Sequence, residues 1–192
     1  MEDRDHSLIQ AVAKGEEAAL EELMKAHMPS VHAVARRLLG DDAAADDAAQ
    51  ETFLAVWRHA KSYRGDAPGR AWILRIALNK ARSAGRWRSV RRWLSLDHAV
   101  DGEPDAPTLG EAIADPAPEA DPAGVRERDD RAERLRAAVE DLPARQKEMV
   151  LLRLEGLEIN EIATAVGAAE GTVKATLHQA RARLEPLLKA TP

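Results

Sequence analysis

Cysteine is missing from all 192 residues. Its absence excludes a disulfide framework, a thiolate metal site and a cysteine nucleophile. Aromatics are scarce: four Trp, one Tyr and one Phe. Any core must therefore be built from Leu, Ile, Val, Met and Ala, a palette that favours helices. No apolar run approaches the roughly 18 residues of a membrane span. The polar opening MEDRDHS lacks the basic-then-apolar order of a secretory signal. Absent too are an HExxH helix, a phosphate-cradling glycine loop and a nucleophile elbow. These absences point to a soluble cytoplasmic protein with no membrane insertion, no cofactor, no metal and no catalytic residue.

What is present is segregated charge. The net charge is −5, yet residues 61–96 carry ten basic groups and one acidic. Residues 1–60 carry twice as many acids as bases, and 97–122 hold eight acids with no Lys or Arg. Residues 123–192 balance at twelve of each sign. A weakly acidic whole argues against a polyanion partner, whereas a basic block of this size argues for one.

Residues 97–122 also contain Pro104, Pro107, Pro116, Pro118 and Pro122, half of the ten prolines, with only Val100, Leu109 and Ile113 as large aliphatics. Such a segment buries too little to offset its ordering entropy. The chain is therefore expected to be all-α. A first helical domain would span 1–95, a flexible acidic linker 96–124 and a second helical domain 125–192. Both flanks show the i, i+3, i+4, i+7 spacing of amphipathic helices. Examples are Val31, Val34, Ala35 and Leu38; Phe53, Val56, Trp57 and Ala60; and Ile159, Ile162, Ala163 and Val166.

The stretch LEINEIATAVGAAEGTVKATLHQARARL has helix-turn-helix spacing. Ala163 is small where two helices would cross, Gly167 suits a left-handed turn, and Val173 anchors the second helix to the first. On that second helix Val173, Leu177, Ala180 and Leu184 share the buried side. Gly171, Lys174, Ala175, His178 and Gln179 fall opposite, with Thr172 at the flank. Small residues and donors on one face suit close approach to base edges and phosphates. The bland alternative is a solvated face. Arg181 and Arg183 suit phosphates or the protein's own carboxylates.

The run RAWILRIALNKARSAGR places Ile73, Leu74, Ala77, Ala81 and Ala84 on an apolar side. Arg75, Asn79, Arg82 and Arg86 form one polar stripe. Like charges along a helix repel, and a polyanion would offset that repulsion. Trp72, Trp87 and Trp93 fit core packing better than base stacking. Tyr63, ahead of the loop Arg64–Arg70, fits either. Upstream, Asp41, Asp42, Asp46, Asp47 and Glu51 precede an apolar stripe. Acids at a helix start are favoured by its dipole. Docking to a basic protein surface, with Gln50 adding a hydrogen bond, is the sharper alternative.

Three blocks in order resemble a known family. LIQAVAKGEEAALEELMKAHMPSVHAVARRLLGDDAAADDAAQETFLAVW is similar to the opening helices of the extracytoplasmic-function (ECF) sigma factors, minimal members of the bacterial sigma-70 family. YRGDAPGRAWILRIALN resembles their promoter-melting segment, with Trp72, Ile76, Ala77 and Asn79 in the expected places. LPARQKEMVLLRLEGLEINEIATAVGAAEGTVKATLHQARARL is close to their region 4. The resemblance implies a region 2 helical bundle and a region 4 helix-turn-helix. It implies that Asp47, Gln50 and Glu51 dock on core RNA polymerase. The loop Arg64–Arg70 would hold a base flipped from the minus-ten element, and Arg75, Asn79, Arg82 and Arg86 its backbone and upstream duplex. Gly171, Thr172, Lys174, Ala175, His178, Gln179 and Arg181 would serve the minus-thirty-five element. The linker would run through the polymerase's nucleic-acid channel, and an anti-sigma factor would hold the chain inactive. The chain departs from common family residues at Leu20, Met24, His32, Gly69, Ser83 and Ala169. Two other classes stay open: a stand-alone dimeric helix-turn-helix regulator, and a helical interaction protein without DNA contact.

Overall fold

The computed structural model describes residues 4–96 and 137–189, with side chains described over 4–86 and 137–186. Among the described residues every regular element is helical. The order is α1 (Arg4–Ala13), α2 (Glu17–Leu39), α3 (Asp42–His59), a 3-10 turn (Ala60–Ser62) and α4 (Gly69–Leu96). After a helical stretch at 137–140 come α5 (Ala144–Leu154), α6 (Ile159–Val166) and α7 (Glu170–Lys189). The all-α expectation holds. The linker, and the side chains of Trp87, Val90, Trp93, Leu94 and Leu187, lie outside the described residues.

Local chemistry sets the helix ends. α2 stops at Gly40, whose left-handed backbone (φ 63°) lets its N–H donate to the Arg36 carbonyl at 2.8 Å. Asp41 then caps α3: its carboxylate accepts the Ala44 N–H at 2.7 Å, a contact worth about 0.5–2 kcal/mol. Arg36 Nε reaches Asp42 Oδ1 across the turn at 2.5 Å. These first acids are therefore local devices, as the dipole argument allowed.

Packing follows from the small-residue palette. Ala35 of α2 meets Ala45 and Ala48 of α3 in a satellite core, so the two helix backbones approach closely. The main core gathers Ile9 and Val12, Leu23, Val31 and Val34, Phe53 and Val56, and Ile73, Leu74, Ala77 and Leu78, all buried. α1 is pinned by the pair His27 Nε2–Asp5 Oδ1, 2.9 Å apart, with the imidazole buried.

Two helical units were expected, and their apolar residues share one cluster. Met149, Leu152, Leu157, Ile162, Ala163 and Val166 from the second unit belong to the same continuous apolar cluster as the first. α6 packs along α4, and α5 touches α2. A smaller cluster of Leu142, Ala180 and Leu184 ties α7 to the turn before α5.

Candidate functional site

The helix-turn-helix is built as its spacing predicts. Gly167 ends α6 at φ 68°, with its N–H on the Ala163 carbonyl. The next N–H, of Ala168, reaches that same carbonyl at 3.0 Å. At the start of α6, the Glu161 carboxylate accepts the Glu158 backbone N–H at 2.6 Å. α7 then turns Val173 and Ala180 into the core at full burial. Gly171, Thr172, Lys174, Ala175, His178, Gln179, Arg181 and Arg183 are all exposed. Gln146 of α5, itself buried, donates from Nε2 to Gln179 Oε1 at 3.3 Å. It supports one candidate reader from behind, a role the sequence did not single out.

The basic stripe of α4 is only partly free. Arg75, Asn79 and Arg86 are exposed, as is Arg64 in the preceding loop. Arg82 is taken: its Nε and Nη2 grip Glu148 Oε1 and Oε2 of α5, both at 2.6 Å. A third contact joins Arg82 Nη1 to Asn79 Oδ1 at 3.3 Å. The hydrogen bond to Glu148, outweighing partial burial, raises the Arg82 pKa above its ordinary value. Sequence spacing showed the like-charge repulsion but not this protein carboxylate that offsets it.

Arg70 needs correction too. The expected loop ran from Arg64 to Arg70, but α4 already begins at Gly69. Arg70 is a first-turn helical residue directed at the second unit. Its Nη2 donates to the Glu155 backbone carbonyl and lies 3.4 Å from Ser30 Oγ. The loop is shorter and closed at its base, where the Tyr63 hydroxyl donates to the Ala67 carbonyl at 2.6 Å. Tyr63 is a core residue, 6% exposed, with its ring centroid 5.1 Å from that of the half-buried Trp72. Gly65 (φ 78°) presses on His6, where an added Cβ would come within 2.6 Å of the ring.

α3 presents Asp46, Asp47, Gln50, Glu51 and Leu54 to solvent. Leu54 is one of two large apolar side chains standing exposed among the described residues. Glu51 Oε2 accepts from Lys80 Nζ of α4 at 2.9 Å. That hydrogen bond, then the Lys80 charge, holds the Glu51 carboxyl below its ordinary range. His32 Nε2 lies 3.1 Å from Asp46 Oδ1, so a departure from the family pattern is used as a tie between α2 and α3. No group of three or more possible metal ligands occurs among the described residues. No described helix is long and apolar enough to cross a membrane.

Comparison with known proteins identifies the family. Residues 23–93 match the family model for sigma-70 region 2, and residues 132–184 that for sigma-70 region 4. Over 191 residues the chain is 31% identical to RNA polymerase sigma factor CnrH of Cupriavidus metallidurans, covering 98% of this chain and 96% of that one. It is 32% identical over 188 residues to ECF RNA polymerase sigma factor SigM of Mycobacterium tuberculosis, covering 97% and 86%. The chain is an ECF sigma factor of the sigma-70 family. Its fold is similar to that of CnrH solved in complex with the cytosolic domain of CnrY, with a TM-score of 0.68 at 25% identity, covering 99% of this chain and all of that one. The fold also matches sigma factor RpoE solved with the anti-sigma factor NepR from Bartonella quintana, with a TM-score of 0.64 at 24% identity over 90% and 98%.

In this sigma factor, α2 to α4 lie chiefly in the region 2 match and α5 to α7 chiefly in the region 4 match. Sequence reasoning missed Glu148 and Glu155, which occupy Arg82 and Arg70. A signal existed. Glu148, Leu151, Leu152 and Glu155 stand at i, i+3, i+4, i+7, so the two acids share a register with apolar residues that face the core. A carboxylate there needs a cationic partner.

Proposed function

We propose that this sigma factor binds bacterial core RNA polymerase through Asp47, Gln50 and Glu51 on α3, and directs it to promoters by two DNA contacts. Thr172, Lys174, Ala175, His178 and Gln179 on α7 read the minus-thirty-five element, with Gly171 allowing close approach and Arg181 on phosphate. Arg64, Arg70, Arg75, Asn79, Arg82 and Arg86 hold the minus-ten element as it melts. The chain acts in the cytoplasm and performs no chemistry of its own; the polymerase supplies catalysis. Because CnrH and RpoE were each solved with a protein partner, CnrY and NepR, an anti-sigma factor is the inhibitor proposed here. Domain limits of 1–95 and 125–192, with an acidic linker at 96–124 between them, accompany the proposal.

The observation that carries it is the division of α7. Every candidate reader is exposed, while the opposite side of the same helix is locked into the core behind a left-handed glycine turn. Lys174 and Gln179 can reach base edges in the major groove, and small Gly171 and Ala175 let the helix approach.

The decisive experiment is transcription in vitro with purified core polymerase on a library randomised across the upstream and melting elements. Enrichment of paired motifs, dependent on this chain, is expected. A chain that binds a palindrome without polymerase and leaves start sites unchanged would instead be a stand-alone regulator.

A further inference from the structure

α5 starts behind a proline. Pro143 holds its N-cap position, and no side chain caps that end. Gln146 is the third residue of the helix, where a glutamine ordinarily turns back to accept the N-cap backbone N–H. Proline has no N–H to give. The Gln146 amide is thereby released from its local partner and turns to α7. Gln146 is 8% exposed, and its Nε2 donates to Gln179 Oε1 at 3.3 Å. Its own Oε1 is buried without a hydrogen-bond partner.

Gln179 stands exposed on α7. A glutamine free at both amide ends pairs bidentately with adenine, accepting from N6 and donating to N7. That pairing needs Oε1 and Nε2 turned to the base together. Here Oε1 is turned to α5, and pulling it away would strand a buried N–H, which is costly. Reversing both amides does not help. Gln146 Oε1 would then gain a donor, but neither N–H of its Nε2 would keep the Gln179 oxygen as acceptor. An unpaired carbonyl oxygen is tolerated better than an orphaned donor. The Gln179 amide is left offering N–H groups outward.

We propose that Gln146 is a positioning residue that sets base specificity. By holding Gln179 Oε1 it makes Gln179 a donor, so the upstream-element position that Gln179 reads favours guanine over adenine. Guanine carries acceptors at both O6 and N7, whereas adenine sets an amino donor beside its one acceptor. The inference rests on the reading of α7 as the minus-thirty-five reader. Gln146 acts through Gln179 and not on DNA.

The test is transcription in vitro by the full chain with purified core polymerase, from promoters carrying each base in turn at each upstream-element position. Gln179→Ala locates the position, as the one where base preference collapses. There the wild type should use guanine better than adenine by about fivefold or more, the least that one base contact supplies. Gln146→Met keeps a similar volume, removes the donor and frees both ends of the Gln179 amide. The guanine-to-adenine ratio should then fall about fivefold or more at that position and at no other. Gln146→Glu puts an acceptor in place of the donor, draws in Gln179 Nε2 and turns Oε1 outward. Cytosine and adenine, which carry amino donors, should then gain on guanine. A merely structural role for Gln146 would lower every promoter alike and leave these ratios unmoved, and melting followed by circular dichroism checks the fold. A wild-type preference for adenine over guanine overturns the proposal without any variant. So does a position that responds to Gln179→Ala but to neither Gln146 variant. If Gln179→Ala alters no position, the fault lies in the reading of Gln179 as a base contact, and the inference falls with it.

Discussion

One substitution, glycine to alanine, should have opposite effects at different positions of this chain. At Gly69 an added Cβ would lie 2.5 Å from Asp5 Cβ and 2.9 Å from Ile9 Cδ1. The first is fixed to the α1 backbone, and the second is the end methyl of a fully buried side chain. Asp5 is also held to His27, 2.9 Å away, so α1 cannot yield without straining that pair. Overpacking of this kind costs about 1–3 kcal/mol. At Gly167 nothing lies within 4 Å, but φ is 68°, and a side chain in the left-handed region costs about 1–2 kcal/mol. Gly85, within α4, has only Leu39 Cδ2 nearby, at 3.8 Å. There alanine should gain about 0.5–1 kcal/mol of helix propensity. For a chain of this length 1 kcal/mol moves Tm by about 2–4 °C. Melting followed by circular dichroism should therefore rank Gly85→Ala above wild type and the other two below it. Adding Ile9→Val, which removes the colliding Cδ1, should make the Gly69→Ala loss less than additive. Equal melting temperatures for Gly69→Ala and wild type would refute the close packing of α1 on α4. A loss at Gly85 would refute its open surroundings.

Three further outcomes are expected. Asp47→Ala with Glu51→Ala should weaken binding to core polymerase in a pull-down titration and shift Tm by less than about 2 °C, because exposed side chains contribute little to stability; unchanged affinity would move the docking face elsewhere. Lys174→Ala or Gln179→Ala should reduce transcription from upstream-element promoters by about five- to 150-fold, the equivalent of one base contact at about 1–3 kcal/mol, and wild-type rates on every promoter variant would displace the recognition face. In an acid titration followed by NMR, Glu51 should protonate below the ordinary carboxylate range, since Lys80 favours its charged form. Because its folded value is lowered, the stability from that pairing is present at neutral pH and lost as pH falls through the folded value. Lys80→Ala should raise the midpoint, and a midpoint that does not move would remove Lys80 as the cause.

Much of the fold was legible because helices announce themselves locally. The i, i+3, i+4, i+7 runs of α2, α3 and α6 need no distant information, and neither does the Gly167 turn, whose backbone requirement lies in one residue. Legibility failed where the deciding partner is remote. Arg82 and Glu148 are 66 residues apart, and Arg70 and Glu155 are 85 apart. The balanced charge of the second half hid the fact that two of its acids face the first. Tyr63 failed for another reason: as the only tyrosine it carries no periodicity, and its burial depends on His6 and Trp72 arriving from two other helices. Gly69 is one of the expected departures from the family pattern. Its cause is visible only once α1 is seen lying across the start of α4.

A one-signed helix stripe needs an anion, and that anion can belong to the same chain. Repulsion among Arg75, Arg82 and Arg86 is relieved equally well by a carboxylate or a phosphate, so composition alone does not choose between an internal and an external ligand. Exposure separates them. Glu148 pairs with Arg82 and Glu155 with Arg70, while Arg64, Arg75 and Arg86 stay exposed. Asp47 and Gln50 on α3 and the readers on α7 are exposed in the same arrangement.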